Sequence, residues 1–558
     1  MNKTRPAFSV AAAVKRVLGR VVGTGARAGL PARAIMPGGG ASGAGGYAYD
    51  AANAFSQELA EWQPSLRSPD AEVNADRDRM VARARDLVRN DGWAAGGVTR
   101  ILDNAVGSQF RLVAKPDYRA LASYSPAFDA VWADEFGRAV EAEWRQWADD
   151  PARHCDAQRK RGFTGLMYLA LRHQLVDGDA LAMLLWQPDA VGFGAARYAT
   201  RVHLIDPDRL SNPYQQMDTH ALRGGVEIDD DGAAVAYHIR RAHQGDWYDA
   251  AESMIWDRFP RETAWGRPVV VHHFEGERTA ANRGIGIMTP VINRLKMLTR
   301  YDQAELQQAL LQTIFGSFIE SPYDAQDVQN ALDAEDGDGP LSAYQRMRQE
   351  FHGANALSLG GVRIPILAPG EKINTVSPTR PNSGFDAFQR AFLRNVASAT
   401  GQSAEQLSWD YSQVNYSSAR AAMLEAWKTL VRRRDNFAAG FADPIYGAWL
   451  EEAFDVADLP LPRGAPGFVE ARAAYARCRW IGPARGWVDP VAERQGAVLG
   501  LDAGFNTLEA EAADQGQDYE EVLDQRAVEI RLMKERGIPL PEWAAGTPGT
   551  APEKPKAT

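Results

Sequence analysis

Cysteine is scarce: Cys155 and Cys478 are the only two among 558 residues. They form no CxxC pair and lie far apart, which excludes a disulfide scaffold and predicts two buried thiols in a reducing setting. No run of 18 apolar residues occurs, so no transmembrane helix is expected. The 50 glycines are aperiodic, which excludes a collagen-like chain. Acid is missing from residues 1–49, where Lys3, Arg5, Lys15, Arg16, Arg20, Arg27 and Arg33 are the seven charged groups. Lys15 and Arg16 cut the apolar stretch 7–14 and no cleavage site follows, so these residues read as a mobile basic arm rather than a signal peptide.

Catalytic motifs are missing as well. There is no GxxxxGK[ST], HExxH, GxSxG or paired CxxC, so phosphate cradles, zinc proteases, hydrolase elbows and zinc fingers lack support. The pairs Gly192/Gly194 and Gly284/Gly286 lack the third glycine of a dinucleotide loop and read as turns. His272 and His273 are adjacent, so on a strand they face opposite sides and cannot readily share a metal. His154, beside Cys155, has no second ligand pair nearby. A calcium loop starting at Glu227 and running through Asp229, Asp230 and Asp231 would put His238 at its twelfth position, where a bidentate carboxylate is needed; a hairpin turn at Asp231–Gly232 explains the run instead. Asp177 and Asp179 read as a turn between helix and strand, with paired catalytic acids as the alternative. Arg432, Arg433 and Arg434 read as a basic helix end offsetting the macrodipole, with phosphate contact as the alternative.

What is present is ample material for a core. Hydrophobic residues make up 45% of the chain, including 15 Trp, 17 Tyr and 20 Phe. The formal charge of −10 is uneven. Removing the seven basic groups of the arm from 62 leaves 55 against 72 acids, so the body from Asp50 onward carries −17. Such a body is ill suited to gripping DNA phosphates.

Helical periodicity begins after Asn74, a candidate N-cap, with Met80, Val81, Ala84, Leu87 and Val88 on one face. Further helices are expected over 93–106, 128–148 and 164–176, that over 128–148 with the stripe Trp132, Phe136, Val140, Trp144 and Trp147. Short strands follow at 180–186, 200–205 and 269–274, with a hairpin over 226–239. Helices return at 287–314 and 384–399, enclosing an acidic insert of strand–helix–strand character, with its helix near 344–351 and strands near Ala356 and Val362. Ser417 or Ser418 is the expected cap of the next helix, and the last 60 residues are again helical before a Pro/Ala/Lys-rich end.

Several strings, in one order, resemble the lambda-type portal protein family of tailed bacteriophages. They are 83–96 (RARDLVRNDGWAAG), 104–112 (NAVGSQFRL), 159–164 (RKRGFT), 205–213 (IDPDRLSNP), 272–275 (HHFE), 404–408 (AEQLS), 415–421 (NYSSARA), 480–482 (WIG) and 519–522 (YEEV). Together they span about residues 47 to 545; the basic arm is the least comparable part.

The resemblance implies a mixed α+β portal fold with an α/β wing, a two-helix stem, a small α/β clip and a helical C-terminal crown. On that plan 1–46 is a flexible basic arm, 47–285 the first part of the wing, 286–315 stem helix 1 and 316–380 the clip. Stem helix 2 is 381–401, the tunnel loop and wing return 402–485, the crown 486–540, and 541–558 a disordered tail. It also implies a ring, typically of twelve copies, at one capsid vertex, through which double-stranded DNA is packaged and ejected. The implied partners are the terminase large subunit, a head-completion or connector protein, and the major capsid and scaffold proteins. The implied setting is the virion, reached by way of the host cytoplasm, with no membrane, no cofactor and no enzymatic activity. The polar segment 402–418, with Gln402, Gln413, Asn415, Tyr416 and Ser417, is the expected tunnel loop, an ordinary wing loop being the alternative. Asp324, Asp327, Asp333 and Glu335 are the expected terminase-facing residues of the clip. Rival functions are a metal-dependent nuclease using Asp177, Asp179 and nearby acids, and a monomeric binding module.

Overall fold

The computed structural model describes residues 61–192, 195–314, 384–412, 414–486 and 490–541, four short strands between 318 and 374, and residues 51, 59, 350 and 544. The basic arm, the expected helix at 344–351 apart from residue 350, and the acidic clip residues Asp324, Asp327, Asp333 and Glu335 lie outside them. The chain divides into two units, Met1–Leu66 and Arg67–Thr558, and the second holds the elements below.

Three helices open it: α1 (Pro69–Val73), α2 (Arg77–Asn90) and α3 (Gly92–Ala105). Asn74 is not the expected N-cap. It ends α1, and its amide donates to Asp218 (2.7 Å). Asp91 separates α2 from α3, its carboxylate accepting from Ala94 N at 2.9 Å, an N-cap bond made just where Gly92 weakens helix propensity. After β1 (Arg111–Ala114) and α4 (Tyr118–Leu121) comes α5 (Ala130–Ala148), capped by Asp129 through Trp132 N at 2.8 Å.

The α5 stripe Trp132, Phe136, Val140, Trp144 and Trp147 is buried throughout, as its spacing of three and four requires. It meets rings from distant parts of the chain. Trp144 lies 4.8 Å from Phe163, 5.0 Å from Trp449 and 5.8 Å from Trp480, and Phe110 stacks on Trp480 at 4.9 Å. Edge-to-face contacts of this kind add about 0.5–1.5 kcal/mol per pair beyond burial.

Helix α6 (Phe163–Asp177) leads through Gly178, at φ +97°, into β2 (Asp179–Trp186). Strand β2 sits between β3 (Thr200–Ile205) and β8 (Val270–Phe274) in a three-stranded antiparallel sheet. A second sheet is the meander β4 (Leu222–Arg223), β5 (Val226–Ile228), β6 (Ala234–Arg240) and β7 (Trp256–Pro260). The hairpin turn falls at Asp231–Gly232 as expected: Gly232 takes φ +86°, and the Asp229 carboxylate accepts from Asp231 N and Ala233 N. Strands β4 and β7 were not expected, because their burial does not alternate in a way the sequence displays. Leu181, Ile205, Val226, Tyr237, Ile239 and Val270 belong to a small core of their own within these sheets.

Helix α7 (Ile292–Ile314) begins five residues later than expected, after a 3₁₀ turn at Thr289–Val291. Near it the strands β9 (Phe318–Glu320) and β12 (Lys372–Asn374) pair with each other, as do β10 (Ala356–Leu359) and β11 (Val362–Pro365). Helix α8 (Phe385–Thr400) runs antiparallel to α7, since Tyr301 packs on Phe385 and Phe388 while Leu295 and Leu393 both enter the main core.

Past α9 (Ala404–Ser408), helix α10 (Tyr416–Phe437) continues without a break through a π turn, Ala438–Ala442, into α11 (Asp443–Val456). Pro444 has no N–H and would clash with the carbonyl four residues back; widening the preceding turn relieves both demands. The basic run is therefore not a helix end. Arg433 is buried and donates to Thr400 O at 2.6 Å, Arg434 lies over Trp427, and Arg432 pairs with Glu275 at 3.0 Å. The chain closes with α12 (Arg472–Tyr475), β13 (Cys478–Ile481), which pairs with β1, and the helices α13 (Pro490–Asp502), α14 (Leu508–Asp514) and α15 (Tyr519–Glu535). Both cysteines are free thiols, Cys155 buried and Cys478 half-buried.

Candidate functional site

The α6–β2 junction places two carboxylates two residues apart in sequence and commits both to arginines. Asp179 accepts from Arg77 Nη2 and Arg283 Nε, each at 2.7 Å, and from Gly284 N at 2.7 Å. Burial alone would raise its pKa, but Arg283 and Arg77 outweigh that and hold the carboxyl well below its ordinary range. Asp177 receives a bidentate pair from Arg85 (2.8 and 2.9 Å) and sits 2.8 Å from His173 Nδ1. Arg85 also reaches Asp206 and Asp208.

The ligand atoms of His173, Asp177 and Asp206 lie within 4.8 Å of one another, as do those of Asp206, Asp208 and His243. A single Arg85 guanidinium bridges Asp177, Asp206 and Asp208. A divalent ion would have to displace that guanidinium, so the junction fits a structural clamp better than a nuclease centre. The glycine pair joins the clamp by close approach: a Cβ on Gly284 would lie 2.2 Å from Gly178 O, and one on Gly286 2.2 Å from Val176 O. His272 and His273 flank it on opposite faces of β8, His273 buried and His272 half-buried as a residue with its side chain only 2% exposed; burial pushes the His273 pKa down to about 4.

Residues 402–418 leave α8 through Gly401, at φ +73°. Gln402 is buried, and its amide donates to Gly97 O at 2.9 Å, tying the root of the segment to α3. Ser403 and Gln406 form a reciprocal capping box that starts α9. Trp409 ends α9 in a left-handed conformation, φ +58°, and is 71% exposed, with Arg100 5.1 Å from its ring centre. Asp410 closes a turn onto Ser412. The cap of α10 is Asn415, not Ser417 or Ser418: its side chain accepts from Ser418 N at 2.8 Å and from Ser417 Oγ at 2.9 Å. Asn415 and Ser417 are exposed, and Tyr416 is the first residue of α10; Gln413 lies outside the described residues.

The structure thus separates Gln402, an anchor, from Asn415 and Ser417, which face solvent. The sequence reading missed Trp409 and the arginines of the clamp. Arg77 and Arg85, eight residues apart on the buried side of α2, are the signal that could have found the latter.

Beside this segment, α7 and α8 leave apolar groups uncovered. Met297, Leu306 and Leu310 are each more than half exposed, and Phe388 is 40% exposed.

Comparison with known proteins agrees across most of the chain. Residues 55–434 match the model of the phage portal protein, lambda family. The portal protein of Escherichia phage N15 is 34% identical over 495 residues, covering 88% of this chain and 91% of that one. Portal protein B of Escherichia phage lambda is 32% identical over 495 residues, covering 88% and 90%. A probable portal protein of Halomonas phage phiHAP-1 is 23% identical over 487 residues, covering 86% of each. Among solved structures, the neck of an empty GTA particle computed with C6 symmetry aligns at TM-score 0.43 and 16% identity, covering 80% of this chain and 95% of that one. The virion of a native gene transfer agent particle aligns at TM-score 0.42 and 15% identity, with the same coverage. With the match over 55–434 and two relatives above 30% identity along nearly their whole length, the chain belongs to the lambda family of phage portal proteins.

Proposed function

We propose that copies of this chain assemble head-to-tail into a ring, of twelve by the family's habit, at one vertex of a capsid, and that DNA passes through it during packaging and ejection. The observation that carries this reading is the family match over residues 55–434, joined by the uncovered apolar side chains of the antiparallel pair α7 and α8. A cyclic ring needs two different faces on each subunit that complement each other, and exposed Met297, Leu306 and Leu310 supply part of one. In this reading 47–285 and the return after 402 form the wing, α7 and α8 the stem, and 316–380 the clip that meets terminase and then a head-completion protein. The helices after 486 form the crown, and capsid and scaffold proteins meet the outer rim.

The channel must let the duplex slide. A body of −17 repels phosphate evenly, whereas a basic wall would condense onto it. Asn415 and Ser417 add exposed, uncharged hydrogen-bonding groups suited to brief contacts, should their loop face the channel. The role is structural rather than enzymatic: the nuclease alternative would need carboxylates that Arg77, Arg85 and Arg283 already occupy.

The test is native mass measurement with negative-stain imaging. Twelve copies of a 61.1 kDa chain give about 730 kDa. A stable monomer at micromolar concentration, in the presence of DNA and scaffold, would refute the assignment.

A further inference from the structure

A cavity of about 660 Å³ opens between the start of α2, the loop 210–218 and the end of β6. Three arginines on its wall, Arg77, Arg240 and Arg283, are almost wholly buried. Two of them are accounted for, since Arg77 and Arg283 share Asp179. Of the acids on the wall, Asp70 pairs with Arg223 at 3.2 Å, and Asp218 accepts from Asn74, Asn212 and Gly224 N. Arg240 is different. It is 4% exposed, its guanidinium lies 4.6 Å from the Trp256 ring centre, and with the Gln244 amide turned so that its oxygen faces Arg240, both Nη atoms donate to that oxygen. Its Nε has no acceptor, and no carboxylate of the described residues comes within 4.0 Å.

A buried guanidinium stacked on an indole with no counter-ion is costly to keep and well placed to receive one. The nearest acids act only at a distance: Asp78 is exposed on the cavity wall, and Asp208 is engaged by Arg85 and lies 3.5 Å from His243. The rim adds a second feature. Tyr214 and Gln215, consecutive non-glycine residues, both take left-handed φ values (54° and 57°), which is backbone strain held in place beside the opening. That loop presents Tyr214, 72% exposed, and Met217, 89% exposed.

We propose that Arg240 binds a carboxylate from an acidic segment of a partner protein, with Tyr214 and Met217 covering the flanking apolar part of that segment. A free inorganic anion would use the polar wall and leave the two rim side chains in water, which is why a peptide is the better occupant.

The test uses the full-length chain and a labelled six-residue peptide of four glutamates flanked by two leucines, with its glutamine counterpart and inorganic phosphate as controls. The seven basic groups of residues 1–49 attract acidic peptides too, so the readout is the difference between variants, not the bare affinity. Loss of one charge-assisted bond should weaken glutamate-peptide binding about tenfold or more in Arg240→Gln, while thermal unfolding stays cooperative. Asp78→Asn should strengthen binding about two- to fivefold by removing the facing charge. Met217→Ser should weaken the peptide and leave phosphate unaffected. Equal binding by wild type and a folded Arg240→Gln protein overturns the proposal, as does phosphate competing at the peptide's own concentration. If Arg240→Gln does not fold, Asp78→Asn decides: unchanged or weaker binding overturns it. None of these readings depends on whether the chain forms rings, which native mass reports separately.

Discussion

The aromatic body and the last three helices of this chain are held by different forces. Around Trp144, rings from α5, α6, α11 and β13 interlock with almost no exposed area. Helices α13, α14 and α15, by contrast, bury no residue fully, and Val491, Val498, Leu499 and Phe505 nearby are more than half exposed. Their described links to the body are mostly polar: the ion pairs Arg138 with Glu520 (3.0 Å), Arg145 with Glu521 (3.3 Å), Lys115 with Glu509 (3.3 Å), Arg420 with Glu493 (3.7 Å) and Arg111 with Glu521, together with Lys115 over the Tyr519 ring and Arg485 N donating to Asp514 O. Hydrophobic burial makes a unit that unfolds all at once. Half-exposed charge pairs make a joint that opens locally and responds to salt.

The largest effect should come from the body. Trp144→Ala leaves a cavity among five rings and should cost about 3–5 kcal/mol, read as a shift of the urea midpoint. A loss below about 1 kcal/mol would mean that the cluster is not the anchor described here.

Between the two regions lies Glu141, on α5, which accepts from Ala114 N at 2.8 Å. Burial, and then the facing acids Asp518 and Glu520, push its pKa up to about 7 against the opposing effects of the Ala114 bond and Arg145. A raised folded-state pKa means that the stabilisation is present below the ordinary value of 4.5 and is lost as pH rises through about 7. Glu141→Gln should therefore flatten this part of the stability profile and gain on wild type as pH rises from 5 to about 8. Parallel profiles for the two proteins would show that Glu141 is ionised in both states.

The smallest effect belongs to the joint itself. The double variant Arg138→Ala/Glu520→Ala should change global stability by less than about 1 kcal/mol. Raising salt to about 0.5 M should speed amide exchange in Tyr519–Glu535 while leaving the Trp144 region protected. Equal protection of both regions at high salt would erase the contrast.

The same contrast explains what could be read from the chain. The α5 stripe was legible because a wide apolar face at helical spacing has one solution. Helix caps were less so: Asn74, Asn415, Ser417 and Ser418 are all good cap residues, and only hydrogen-bond geometry shows that Asn415 is used and Asn74 is not. The run Arg432–Arg434 looked like a helix end because local charge favours one, yet the helix continues and Arg433 is spent on Thr400 O. In the polar segment, composition could not separate Gln402, turned inward to Gly97, from Asn415 and Ser417, turned outward.

By itself the sequence determined the family, through ordered strings over most of the chain, and with it the mixed α+β character and the two long helices flanking an insert. It also determined the uneven charge, since counting needs no coordinates. Only the tertiary structure decided where the charges go. Asp177 and Asp179 became a clamp because Arg77, Arg85 and Arg283, from segments up to about a hundred residues away, converge on them. Arg240 was left without a paired carboxylate among the described residues, none of them lying within 4.0 Å once β6 is folded against Trp256. Pairing of that kind depends on distances of a few ångströms between residues far apart in the chain, and local periodicity carries no record of them.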